Sequence, residues 1–169
     1  PKDLSNGVLY TMAMYDNICN CIHLPVQSGS TCMLDLMNRK YTCDRYMERI
    51  KKIREIIPDC AITTDVIAGF CTETEEDHKQ TLSLMQEVGY ECAYMFKYSE
   101  RPNTKAARNM QDDVPGHIKT EKLNEIIALQ NKLSELSNKK DVGKAFEVLV
   151  ESHSKRSNDF LSGRTSQNK

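Results

Sequence analysis

Three short stretches of the 169-residue chain place polar side chains, Gly and Pro directly after apolar runs. Pro25-Val26-Gln27-Ser28-Gly29-Ser30 offers an amide, hydroxyls and closely approachable backbone. That chemistry suits a small polar ligand, and equally an ordinary strand-to-helix turn. Thr64-Asp65-Val66-Ile67-Ala68-Gly69-Phe70 sets an acid in an apolar segment, where burial is costly unless the carboxylate is paired or holds a ligand. Its Gly69 admits close backbone approach. Phe96-Lys97-Tyr98-Ser99-Glu100-Arg101-Pro102 gathers charges that fit ligand carboxylates, or internal ion pairs in a solvated loop.

Other chemistries find less support. His23 and His78 have no second His at metal-ligand spacing, and there is no phosphate-binding loop, dinucleotide fingerprint or Ser/His/Asp pattern. Seven cysteines at scattered spacings point to reduced thiols, most of them small buried hydrophobes. None forms a C-x-x-C pair, so no complete local metal site is expected. Lys155, Arg156 and Arg164 are candidate phosphate contacts in a C-terminal segment. From Asn138 onward, seven Lys or Arg face four acids, an excess of +3, although the whole chain carries −1.

The elements that must position these groups are legible as a strand-helix repeat. Apolar stretches at Cys21 to Gln27, Cys60 to Phe70 and Glu91 to Ser99 begin about one strand-helix-strand unit apart. Tyr46, Ile50, Ile53 and Ile57 recur on one face of a helix that Thr42 can cap and Pro58 must stop. Thr72 and Glu75 form the capping-box pattern for the next helix, which Gly89 ends after Leu82, Met85 and Val88. A fourth helix runs from about Pro115, as a first-turn residue, to about Asn138, with Leu123, Ile126, Ile127, Leu133 and Leu136 as its apolar face.

Alternating strands and helices imply a parallel sheet with right-handed crossovers, and chemistry at the strand C-terminal ends. After Gly143 the period changes to two, and Phe146, Val148 and Val150 read as the buried face of an antiparallel strand. A domain boundary is expected near 139 to 143, dividing an α/β unit at 1–140 from a β unit at 141–169. Hydrophobic content of 39% and charged content of 28%, in short runs, exclude a helical membrane span and make the cytosol the expected compartment. The start at Pro1 without Met, and the stop at Lys169 shortly after Ser162-Gly163-Arg164, suggest a piece of a larger enzyme.

Taken together, these motifs resemble one family. Ile22 to Ser30 with Leu36-Met37-Asn38-Arg39-Lys40-Tyr41-Thr42, then Thr64 to Phe70 with Glu73-Thr74-Glu75-Glu76-Asp77, then Met95 to Pro102, resemble the radical S-adenosylmethionine methylthiotransferases in order. Gly143 to Val150, Ser154-Lys155-Arg156-Ser157 and Gly163 to Lys169 are similar to the RNA-binding TRAM domain of the tRNA-modifying branch. Cys71-Thr72 departs from the Pro-Gly of many relatives, and Asn103 from a common Gly.

The resemblance implies the second half of a TIM-like (βα) barrel followed by the first strands of a small β-barrel domain. It implies S-adenosylmethionine lined by Gln27, Arg39, Thr64, Asp65, Gly69 and Phe96, and tRNA, at its anticodon stem-loop, contacted by Lys155, Arg156 and Arg164. Two 4Fe-4S clusters, with ligands outside this chain, and a sulfur donor and an electron donor complete the expected enzyme. It would methylthiolate C2 of an isopentenylated adenosine beside the anticodon, and this chain alone is expected to be inactive. The alternatives are a ribosomal-protein methylthiotransferase of the same family or a non-catalytic RNA-binding module.

Overall fold

The computed structural model describes residues 1–169. In chain order the elements are α1 (Asn6–Met14), β1 (Cys21–His23), α2 (Thr31–Leu36), α3 (Cys43–Ile56), β2 (Ala61–Ala68), α4 (Glu75–Val88), β3 (Cys92–Lys97), α5 (Lys105–Asn109), α6 (Gly116–Lys139), β4 (Leu149–Ser154) and β5 (Ser157–Arg164). β1, β2 and β3 form a parallel sheet in that order, and β4 and β5 form a separate antiparallel hairpin. The short helices α1, α2 and α5 carry no periodic apolar stripe long enough to announce them in the sequence.

The parallel sheet is covered on one face only. On β2 the residues Ile62, Thr64, Val66 and Ala68 are essentially sealed, while Thr63, Asp65 and Ile67 between them are half-buried. The sealed face packs with Tyr46, Ile50 and Ile53 of α3, with Leu84, Met85 and Val88 of α4 and with Ile126 of α6. The other face stays open: Tyr94 and Phe96 of β3 are 57% and 52% exposed, and the register sets them beside Asp65 and Ile67. Period-two side-chain alternation therefore divides the sheet into a core face and a face free to meet a ligand.

Local signals fix the helices. Thr42 caps α3 by accepting from Arg45 N at 3.3 Å, and Pro58 follows its end. The cap of α4 lies two residues beyond the Thr72-Glu75 pair. Thr74 is the N-cap and Asp77 closes the box, while Thr72 adopts a left-handed backbone (φ 64°) and donates its N–H to Asp113. Gly89 ends the helix.

Three further expectations need correction. Pro115 is the N-cap of α6 rather than a first-turn residue, and Leu136 is 48% exposed. The fully buried line of that helix is Lys119, Lys122, Ile126 and Gln130, since the helix packs polar side chains onto loop carbonyls and carboxylates. Of the seven cysteines only Cys60 and Cys71 are buried; Cys19, Cys32 and Cys92 are exposed, and all are free thiols. The β hairpin starts at Leu149, and Phe146, Val148 and Val150 are 43–54% exposed, because no third element packs on it.

Candidate functional site

β1 breaks at Pro25, which has no N–H to donate to a ladder. Side chains from neighbouring elements take over the exposed backbone. Thr64 Oγ1 donates to Leu24 O at 3.0 Å and accepts from Val26 N at 2.9 Å, and Tyr46 OH donates to Leu24 O at 2.8 Å. Tyr41 OH lies 3.1 Å from Pro25 O. Gln27 then re-engages β2, donating its N–H to Asp65 O and accepting from Ile67 N, each at 2.9 Å, with a left-handed φ of 71°. An unfavourable backbone held on both sides is a mark of a functional turn.

Gln27 opens onto a cavity of about 530 Å³ at the C-terminal ends of the three parallel strands. That volume lies in the range of small-molecule sites. Asp65, Ile67 and Phe96 come from the open sheet face, Met37 and Arg39 from the segment after α2, and Phe70 and Tyr98 from the loops after β2 and β3. Lys97 and Arg101 join Arg39 as cations against the single acid Asp65. Phe70 and Tyr98 meet edge to face, with ring centroids 4.8 Å apart. Burial, with the Cys71 thiol adding to it, raises the Tyr98 phenol to about 12, so the ring stays neutral. Asp65 is not isolated: His23 Nε2 stands 3.4 Å from its Oδ1, and His23 Nδ1 is 2.9 Å from Thr63 Oγ1.

Of the six residues expected at a cofactor site, Gln27, Arg39, Asp65 and Phe96 line this cavity together, and Thr64 and Gly69 do not. Thr64 falls on the sealed face of β2 by strand parity and serves the β1 backbone. Gly69, at φ 71°, gives its space to Lys119, whose Cγ would lie 2.3 Å from a Cβ there. Ser28, Gly29 and Ser30 also turn inward. A Cβ on Gly29 would stand 2.5 Å from Gln80 O, and Ser30 Oγ donates to Asp77 Oδ1 at 2.5 Å. For these three the ordinary turn reading holds.

The cations of the hairpin separate into two settings. Lys155 and Arg156 form its exposed two-residue tip, whereas Arg164 pairs with Glu151 at 3.2 Å. Elsewhere, no set of three or more His, Cys, Asp or Glu side chains converges to hold a metal, so these residues do not fit an iron-sulfur cluster. No helix is long and apolar enough to cross a membrane.

Residues 4–85, which carry β1, β2 and most of α4, match the model of the radical SAM superfamily. Beyond that match, the chain is similar along its whole length to larger curated enzymes. Over all 169 residues it is 57% identical to the tRNA-2-methylthio-N(6)-dimethylallyladenosine synthase of Bacteroides thetaiotaomicron and 59% identical to those of Parabacteroides distasonis and Porphyromonas gingivalis. It spans 36–37% of the length of these relatives. Among solved structures, coproporphyrinogen III oxidase (HemN) from Escherichia coli, described as a radical SAM enzyme, aligns at a TM-score of 0.64. That alignment, at 24% identity, covers 79% of this chain and 31% of the other, and shows a shared fold.

Proposed function

We propose that this chain is the cofactor-lining and RNA-facing part of a cytoplasmic enzyme that adds a methylthio group to C2 of an isopentenylated adenosine next to the tRNA anticodon. The observation that carries it is the strand-end cavity, set in a sequence 57% identical along its whole length to a synthase named for that product. On this reading residues 1–140 complete a radical SAM barrel and 141–169 begin a TRAM-like β domain. Two 4Fe-4S clusters, a sulfur donor and an electron donor act with parts of the protein outside this chain.

The lining suits S-adenosylmethionine. Arg39, Lys97 and Arg101 can receive its carboxylate, Asp65 its ammonium group, and Phe70, Phe96 and Tyr98 its adenine ring. When bound, S-adenosylmethionine would supply, on one-electron reduction by a cluster, the radical that activates the adenosine, and a second molecule of it would supply the methyl group that ends on sulfur. The protein's share is position and dryness. Gln27 is pinned to β2 through both backbone groups, so its amide is presented with little freedom.

Expression of the full-length gene in a bacterium lacking the modification tests the proposal. Nucleosides from its tRNA should regain 2-methylthio-isopentenyladenosine. Persistent unmodified isopentenyladenosine, with a methylthiolated ribosomal protein instead, would assign the enzyme to the protein-modifying branch.

In the full-length protein with loaded clusters, Gln27→Ala should weaken S-adenosylmethionine binding about tenfold, equivalent to ~1.4 kcal/mol. Ala inherits the same left-handed backbone, so the change isolates the amide. Unaltered affinity by equilibrium dialysis removes Gln27 from the site. At the hairpin tip, Lys155→Ala with Arg156→Ala should reduce the slope of log affinity for tRNA against log salt by roughly 0.7–0.9 per lost phosphate contact. An unchanged slope places the tRNA backbone elsewhere.

A further inference from the structure

We infer that α6, which contributes nothing to the cavity lining, sets the position of the cavity's aromatic wall through two buried lysines; this rests on the cavity being the S-adenosylmethionine site. Lys119 and Lys122 are 5% and 3% exposed. Lys122 Nζ donates to Glu73 O at 3.2 Å, to Thr74 O at 3.1 Å and to Glu73 Oε2 at 3.2 Å. The same Glu73 oxygen accepts the N–H of Gly69 at 2.8 Å. One ammonium group thus fixes both ends of the loop from Gly69 to Thr74.

Lys119 acts beside it. Its methylenes fill the space over Gly69, its Nζ donates to Asp112 Oδ2 at 2.6 Å, and the charge stands 5.0 Å from the centroid of Tyr98. Tyr98 packs on Phe70, which lies within the loop that Lys122 anchors. Both rings line the cavity together with Gln27 and Arg39. A chain of direct contacts therefore runs from α6 to the surface expected to hold the adenine.

Apolar residues could fill the same volume. Buried ion pairs are weak sources of stability compared with apolar packing, but they are directional. An ammonium group that must satisfy two carbonyls and a carboxylate tolerates one placement of the loop, where a methyl group tolerates several. Lys119 and Lys122 are accordingly positioning residues, acting through Phe70 and Tyr98.

The test uses the full-length protein with its clusters loaded and S-adenosylhomocysteine as a non-reacting probe, with binding and thermal unfolding measured on the same samples. Lys119→Met keeps the methylenes over Gly69 and leaves Asp112, which is 31% exposed at its side chain, able to rehydrate. It should lower probe affinity about tenfold with little change in Tm. Lys122→Met should lower both. The paired change Lys122→Met with Glu73→Gln removes the unpaired buried charge and should recover most of the Tm but not the affinity, since the two loop carbonyls still lack their donor. Wild-type affinity in the Met variants, or affinity that returns with Tm in the paired variant, overturns the inference. If the unmodified protein does not bind the probe, or Gln27→Ala binds it as well as wild type, the cavity assignment itself falls and takes the inference with it.

Discussion

Replacing Gly69 with Ala should destabilise the protein by about 2–5 kcal/mol. Two independent penalties add. The backbone is left-handed at φ 71°, which costs an L-residue roughly 1–2 kcal/mol. The new Cβ would also fall 2.3 Å from Lys119 Cγ and 2.9 Å from its Cβ, an overpacking worth about 1–3 kcal/mol. Lys119 cannot easily retreat, because Asp112 and Tyr98 hold its far end. For a chain of this size the result is a fall in Tm of roughly 4–20 °C. A Tm within a degree of wild type would mean that the contact over Gly69 is slack.

The second large effect lies at Asp77. This carboxylate accepts from Ser30 Oγ and Thr74 Oγ1, each at 2.5 Å, and from Thr74 N at 3.0 Å, so it closes the capping box of α4 and ties the helix to the turn after β1. Asp77→Ala leaves the Ser30 hydroxyl without its acceptor in a buried place and removes the reciprocal half of the capping box, at a cost of about 2–3 kcal/mol. Burial alone would push the carboxyl up. The hydrogen bonds from Ser30 and Thr74, helped by the charge of Lys122, outweigh that and hold Asp77 below its ordinary value of 3.8. The folded state thus favours the ionised form. Its contribution is complete above pH 3.8 and is lost as pH falls through the lower folded value. Acid unfolding should therefore be less steep in Asp77→Ala than in wild type; equal steepness would mean that Asp77 carries no linkage.

How far the sequence spoke depended on whether a signal was periodic. The three parallel strands were legible as apolar stretches about one strand-helix-strand unit apart, and the helix faces of α3 and α4 because apolar residues recur every three to four positions along them. Gln27, Asp65 and Phe96 were legible as strand-end polar or aromatic groups. Thr64 was not separable from Asp65, since adjacent strand residues face opposite ways and residue type alone does not say which face is core. Thr72-Glu75 and Thr74-Asp77 both fit a capping pattern, and the loop's need for a left-handed residue at Thr72 chose between them.

Lys119 and Lys122 gave no signal at all. A lysine on a charged helix reads as solvated surface, and only tertiary structure brings Glu73 and Asp112 to meet them. The aromatic wall of the site shared that fate: Phe70 and Tyr98 were read as parts of separate loops, and their edge-to-face contact joins segments 28 residues apart in sequence. The hairpin was legible as a change of period, but its exposure depends on what packs against it, which alternation cannot report.

On the proposed reading, the cavity at the C-terminal ends of β1, β2 and β3 is the S-adenosylmethionine site. A crystal structure of the full-length protein with S-adenosylhomocysteine tests it most directly. The ligand should lie against Gln27 and Phe96, with its ammonium group beside Asp65 and its carboxylate within hydrogen-bond distance of Arg39, Lys97 or Arg101. A ligand seated instead at the opposite end of the strands, in the similarly sized cavity bounded by Cys21, Cys92 and Lys169, would contradict it.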